Sequence, residues 1–109
     1  MASYLVQCSY TQEALKALIA APEDRTAVVA KAVKSLGGKL IGSWLSFGDF
    51  DVTLIMEMPD NVSAAAMALA AAAGGSLKSI KTTPLMSTED GKAALKKAAS
   101  TSYKPVGAK

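Results

Sequence analysis

The sequence predicts an α+β domain in which two β-α-β units follow one another, giving the order β-α-β-β-α-β with one further helix at the C-terminal end. Three observations carry this. Short segments of alternating side chains flank longer stretches with apolar residues at helical spacing. Two helical stretches end in the glycine pairs Gly37-Gly38 and Gly74-Gly75, so strand, helix, glycine pair and strand recur as a half-repeat. Gly48-Asp49 separates two strand-like segments and has the chemistry of a hairpin turn. Right-handed crossovers turn this order into a four-stranded antiparallel sheet, strand order 4-1-3-2, with both main helices on one face.

The elements follow in turn. Residues 3–10 form the first strand, with Tyr4, Val6, Cys8 and Tyr10 on one face and Leu5, Gln7 and Ser9 on the other. Thr11 suits a helix N-cap, and Leu15, Leu18 and Ile19 form an apolar stripe behind it. Pro22 breaks that stripe, and Pro22-Glu23-Asp24 suits the first turn of a second piece. The first helix is therefore expected in two parts, about 12–20 and 22–36. Residues 39–47 and 51–58 are the next strands, and Pro59-Asp60 closes the second and caps a helix over about 61–73. That helix is nearly all alanine, which brings it close to the sheet or leaves room for a ligand. Residues 76–85 form the last strand, and Ser87 with Asp90 caps a helix over about 88–99. The expected organisation is one domain over 1–99 and a loose polar tail over 100–109.

Composition excludes several chemistries. The 109 residues include no histidine, one cysteine and one arginine. A histidine-based triad and a histidine-bearing zinc site are impossible, as is a disulfide within the chain. No cofactor or metal is expected. The first residues have no secretory pattern, and the longest apolar run, Ala64 to Ala73, is about half a membrane span of roughly 20 residues. The expectation is a cytoplasmic protein without a membrane segment. Net charge is −2 over residues 1–60 and +5 over 61–109. With a single arginine and Tyr103 as the lone aromatic beside the C-terminal lysines, this basic excess reads as a solvated face and argues against nucleic acid as a partner.

The strand faces suggest a partner. Leu40, Gly42 and Trp44 oppose Ile41, Ser43 and Leu45 in the second strand, and Thr53, Ile55 and Glu57 oppose Val52, Leu54, Met56 and Met58 in the third. The face away from the helices is mixed where a solvated sheet would be polar. A second copy of the chain is expected to cover it, burying about 800 Å² per partner.

Several residues together resemble a known family. They are Tyr4-Leu5, Ser9-Tyr10-Thr11, Pro22-Glu23-Asp24-Arg25, Leu36-Gly37-Gly38-Lys39-Leu40, Phe47-Gly48-Asp49-Phe50-Asp51, Glu57-Met58-Pro59-Asp60, Gly74-Gly75 and Glu89. In order and spacing, over about residues 3–97, the chain resembles the GYD-domain family, small bacterial and archaeal proteins of uncharacterised role. The Gly-x-Tyr-Asp motif is matched by Gly48, Asp49, Phe50 and Asp51, with Phe50 in the tyrosine's place. The resemblance implies a ferredoxin-like fold of the dimeric α+β-barrel type. That wider group includes small oxygenases, isomerases and amino-acid-sensing domains, so fold does not fix function.

Four residues are the ligand-binding candidates: Tyr10, Arg25, Trp44 and Asp51. The planar fork of Arg25 suits a ligand carboxylate, or an ion pair to Asp49, Asp51 or Glu57 that pins the hairpin to a helix. Asp51 follows a turn, where aspartate commonly accepts from nearby backbone N–H groups, yet paired carboxylates can also share acid–base work. Tyr10 and Trp44 are polar-tipped aromatics suited to a cavity or to packing. Cys8 has no histidine to activate it. Thr82 and Thr83 could hydrogen-bond a ligand, though strand propensity also explains them. Gly37, Gly38, Gly48, Phe50 and Asp51 form the structural motif. The expected function is binding of a small molecule in a sensing or accessory role. The alternatives are a cofactor-independent oxygenase or isomerase and an assembly protein without a ligand.

Overall fold

The computed structural model describes residues 1–108; Lys109, the end of the expected tail, lies outside them. The elements are β1 (Ala2–Tyr10), α1 (Gln12–Ala20), α2 (Thr26–Ser35), β2 (Lys39–Leu45), β3 (Val52–Met58), α3 (Asn61–Ala73), β4 (Leu77–Leu85) and α4 (Thr88–Ala99). The four strands form one antiparallel sheet in the order β2-β3-β1-β4, which is β4-β1-β3-β2 from the other edge. The core lies on one face, where Tyr4, Val6, Cys8, Leu54, Met56 and Met58 meet Val33 of α2 and Ala64 of α3. No helix among the described residues is long and apolar enough to cross a membrane.

Local chemistry sets the helix ends. Thr11 Oγ1 accepts from Ala14 N at 3.1 Å, and Ser87 Oγ accepts from Asp90 N at 3.0 Å. After α2, Gly37 N donates to the Lys34 carbonyl and Gly38 N to the Val33 carbonyl, each at 3.0 Å. These two bonds close a Schellman motif, and Gly37 occupies its left-handed position at φ +83°. The second piece of the first helix begins later than the sequence suggests. Asp24 Oδ1 accepts from Thr26 N at 2.9 Å, closing an Asx turn over Asp24-Arg25-Thr26, so Pro22-Glu23-Asp24 precedes α2 and is not its first turn.

Asp60 Oδ1 caps α3 by accepting from Ser63 N at 2.8 Å. The Ser63 amide, then its hydroxyl, hold the Asp60 carboxyl below its usual range. A depressed folded-state pKa contributes stability above the unfolded value, and that contribution is lost as pH falls through the folded value. Asp60→Ala should therefore lower the melting temperature at pH 7, and the gap to wild type should close below roughly pH 4. Parallel thermal melts across that range check this; a gap independent of pH would contradict it.

Two register irregularities shape the sheet. On β2, Leu40 pairs with Met56 and Gly42 with Ile55, so Ile41 is an extra residue opposite no partner. Leu40, Ser43 and the exposed Leu45 therefore lie on the core side of the sheet, whereas Gly42 and Trp44 lie on the other. This corrects the simple alternation, which kept Leu40, Gly42 and Trp44 together. The second slip lies between Ser9 and Tyr10 in the β1–β4 ladder.

α1, α2 and α3 all lie on the core face. The opposite face carries Leu5, Gln7, Thr53, Ile55, Thr83 and Trp44, with Trp44 54% exposed. The Trp44 ring folds over Gly42, where an added Cβ would lie 2.5 Å from ring carbon Cη2. α4 does not cover this face: its residues are exposed apart from half-buried Gly91, and Leu95 is exposed among them.

Candidate functional site

A cavity of about 640 Å³ lies between the sheet and the helices. That volume falls within the range of roughly 300–1,000 Å³ typical of small-molecule sites. Its floor is the core face of the sheet: Val6, Cys8 and Tyr10 of β1, Val52, Leu54 and Met56 of β3, and Leu77, Ile80 and Thr82 of β4. Its walls include Ala14 and Leu18 of α1, Val29 and Val33 of α2, and Met67, Ala68 and Ala71 of α3. The alanines explain the space. Ala64 packs tightly at one end of α3, while Ala68 and Ala71, one and two turns on, are too short to reach across. The alanine excess thus serves both expected purposes, close approach at one point and an opening at the next.

Glu23 and Arg25 lie on the rim. Arg25 Nη1 donates to Glu23 Oε1 at 3.0 Å, with the side chains 51% and 55% exposed. The arginine's partner is therefore its near neighbour, not Asp49, Asp51 or Glu57. The turn at Asp24 brings the two side chains to the same side of the chain. Tyr10 lies between this rim and the interior. Burial pushes its phenol up, opposed by the Arg25 charge and reinforced by Cys8, Asp51 and Glu23. Burial alone raises the Cys8 thiol. Both groups are uncharged near neutral pH, so Cys8 is poorly suited to act as a nucleophile.

Asp51 has a structural task. Its Oδ2 accepts from Tyr10 N at 2.9 Å, where the β1–β4 register slips. Its own N–H donates to the Cys8 carbonyl at 2.8 Å, and its carbonyl accepts from Ser46 N at 2.8 Å. Ser46 Oγ donates to the Phe50 carbonyl at 2.8 Å, and Ser9 Oγ to the Asp49 carbonyl at 3.1 Å. The β2–β3 loop, with Gly48 at φ +140°, is thereby tied to the end of β1.

The four candidates therefore separate. Tyr10 and Arg25 line the cavity, Asp51 holds the Tyr10 backbone from outside it, and Trp44 lies on the opposite face of the sheet. Two residues gain weight: Asn61, which the sequence did not single out, and Thr82, which it offered as a hydrogen-bonding group for a ligand. Asn61 Oδ1 accepts from the Tyr4 hydroxyl at 2.5 Å, joining β1 to the start of α3. Thr82 lies on the core face opposite Val6, and its Oγ1 is buried with no hydrogen-bond partner. Its place in an otherwise apolar row, Leu77, Ile80 and Pro84, was the available signal. Glu57 faces away from the cavity beside Lys39, and no three acidic or cysteine side chains among the described residues converge to hold a metal ion.

The family model for the GYD domain matches residues 4–95 of the chain. No curated protein and no solved structure gives a match.

Proposed function

The chain belongs to the GYD-domain family, and on that footing we propose that it is a small-molecule-binding domain that works as a homodimer in a sensing or accessory role. The cavity of about 640 Å³ supports this reading most directly. Its lining is predominantly apolar, and its few polar groups, Tyr10, Ser76, Thr82 and the Glu23–Arg25 pair, are of the kind that orient a ligand. The uncovered sheet face supports the dimer. Leu5, Ile55 and Trp44 on that face are apolar, as expected of a surface that a second copy covers. Pairing through this face gives the ferredoxin-like, dimeric α+β-barrel arrangement implied by the family. Tyr10 and Arg25 then serve the ligand, Trp44 serves the dimer and Asp51 serves the fold.

The enzyme alternative has less behind it, because the Asp51 carboxylate is engaged by Tyr10 N and Glu57 faces away from the cavity. Native mass spectrometry of the protein as purified tests both parts of the proposal. The expected species is close to twice 11.2 kDa, carrying a small-molecule adduct that is lost in Ala71→Phe. Leu5→Lys with Ile55→Lys should yield monomer that still carries the adduct. A bare wild-type monomer would overturn the reading.

A further inference from the structure

We propose that the cavity takes an uncharged, elongated apolar molecule bearing a single hydrogen-bonding oxygen, such as a medium-chain alcohol, ketone or phenol. The inference rests on the reading of this cavity as a binding site, and adds the chemical class of its occupant.

Charge comes first. Glu23 and Arg25 are the charged residues in the lining among the described residues, and they neutralise each other on the rim at 3.0 Å. The rest of the lining is aliphatic side chains with Met56, Met67, Cys8 and Thr82, joined by the half-buried Tyr10 and the exposed Ser76, none of them charged. An ionised head group drawn inside would meet no opposite charge, and desolvating an unpaired charge is strongly unfavourable. At the rim the exposed pair carries no net charge, so an ionised head group gains little there over water.

Shape comes second. The floor runs from Tyr10 near the rim to Val6 beside Thr82, four residues along β1. At about 3.3 Å per residue that is a path of roughly 13 Å. Such a path suits an extended chain better than a compact polar metabolite.

Thr82 supplies the polar anchor. A buried hydroxyl without a partner is destabilising, and valine would fill the same space with the same strand preference and no unsatisfied group. The hydroxyl is shielded from solvent while Thr82 itself lines the cavity. A roughly 120° rotation about χ1 to another staggered well carries the hydroxyl to the position now held by the methyl group, and so brings Oγ1 towards an occupant. Tyr10 and Cys8, both protonated near neutral pH, add no charge along the way.

The test uses the full chain at pH 7, with N-phenyl-1-naphthylamine as a neutral fluorescent probe and 1-decanol, decanoate and decylamine as competitors of equal length. Decanol is expected to displace the probe at least tenfold more effectively than either ion. Thr82→Val should melt no lower than wild type and bind decanol about fivefold more weakly, the loss of one hydrogen bond. Trp44 emission should not change with decanol, because Trp44 lies on the other side of the sheet. Decanoate or decylamine equal to decanol would overturn the uncharged class while leaving the cavity as a site. Undiminished decanol binding by Thr82→Val would overturn the anchor. The underlying reading fails separately, and takes this inference with it, if wild type binds neither probe nor decanol. It fails likewise if Ala71→Phe and Ala32→Phe, each shown folded by circular dichroism, leave probe binding unchanged.

Discussion

Gly38→Ala is expected to lower the stability of the domain by about 3 kcal/mol. A methyl group at this position would lie 2.5 Å from the Glu57 carbonyl oxygen and 3.1 Å from Val33 Cγ1, and closer still to Met58 Sδ. The methionine sulfur can move, but the carbonyl belongs to β3, whose ladders run to both β1 and β2. Relieving the contact means shifting a central strand or opening the Schellman closure that ends α2. Met58 and Val33 are both fully buried, so the adjustment reaches the core. Urea unfolding should show a lower midpoint with an unchanged slope. Gly91→Ala is the control: nothing lies within 4 Å of its added Cβ, and the substitution should not destabilise. A Gly38→Ala loss below about 0.5 kcal/mol would show that α2 and β3 do not meet as described.

Asp51→Ala is expected to lower stability by about 2 kcal/mol while leaving decanol affinity unchanged. The carboxylate accepts from the half-buried Tyr10 N–H at the point where β1 slips register against β4. Removing it leaves that donor without its partner and loosens the loop laced to β1. Asp51→Asn keeps an acceptor oxygen and should lose less than about 1 kcal/mol. Chemical denaturation gives the stability, and probe displacement gives the affinity. An Asp51→Ala variant of full stability with abolished decanol binding would assign the carboxylate to the ligand instead.

These two residues illustrate how far local sequence reaches. Gly37-Gly38 as a helix end follows from two adjacent glycines after an apolar stripe, and the bonds to Lys34 and Val33 have that form. The crowding that makes Gly38 sensitive comes from Glu57 and Met58, about twenty residues away, and no local pattern announces it. Asp51 after a turn suggested a backbone acceptor role. Its donor, Tyr10, lies 41 positions away, at the point where β1 slips register against β4. Arg25 shows the reverse case. The sequence offers distant acids as partners, yet Glu23, two residues before it, takes the contact.

By itself, the sequence determined the order of elements, the caps of α1, α3 and α4, the glycine ends of α2 and α3, the hairpin and the two sheet faces of β1 and β3. Each depends on residues within a turn or on a period of two, and such energies are local. The tertiary structure decided the sides of Gly42 and Trp44, the partner of Arg25, the unsatisfied hydroxyl of Thr82 and the volume beneath α3. One extra residue, Ile41, reverses the faces of everything after it in β2, and only pairing with β3 sets where that residue falls. A cavity is likewise no property of any segment. It is the space left where the short side chains of Ala68 and Ala71 face the sheet.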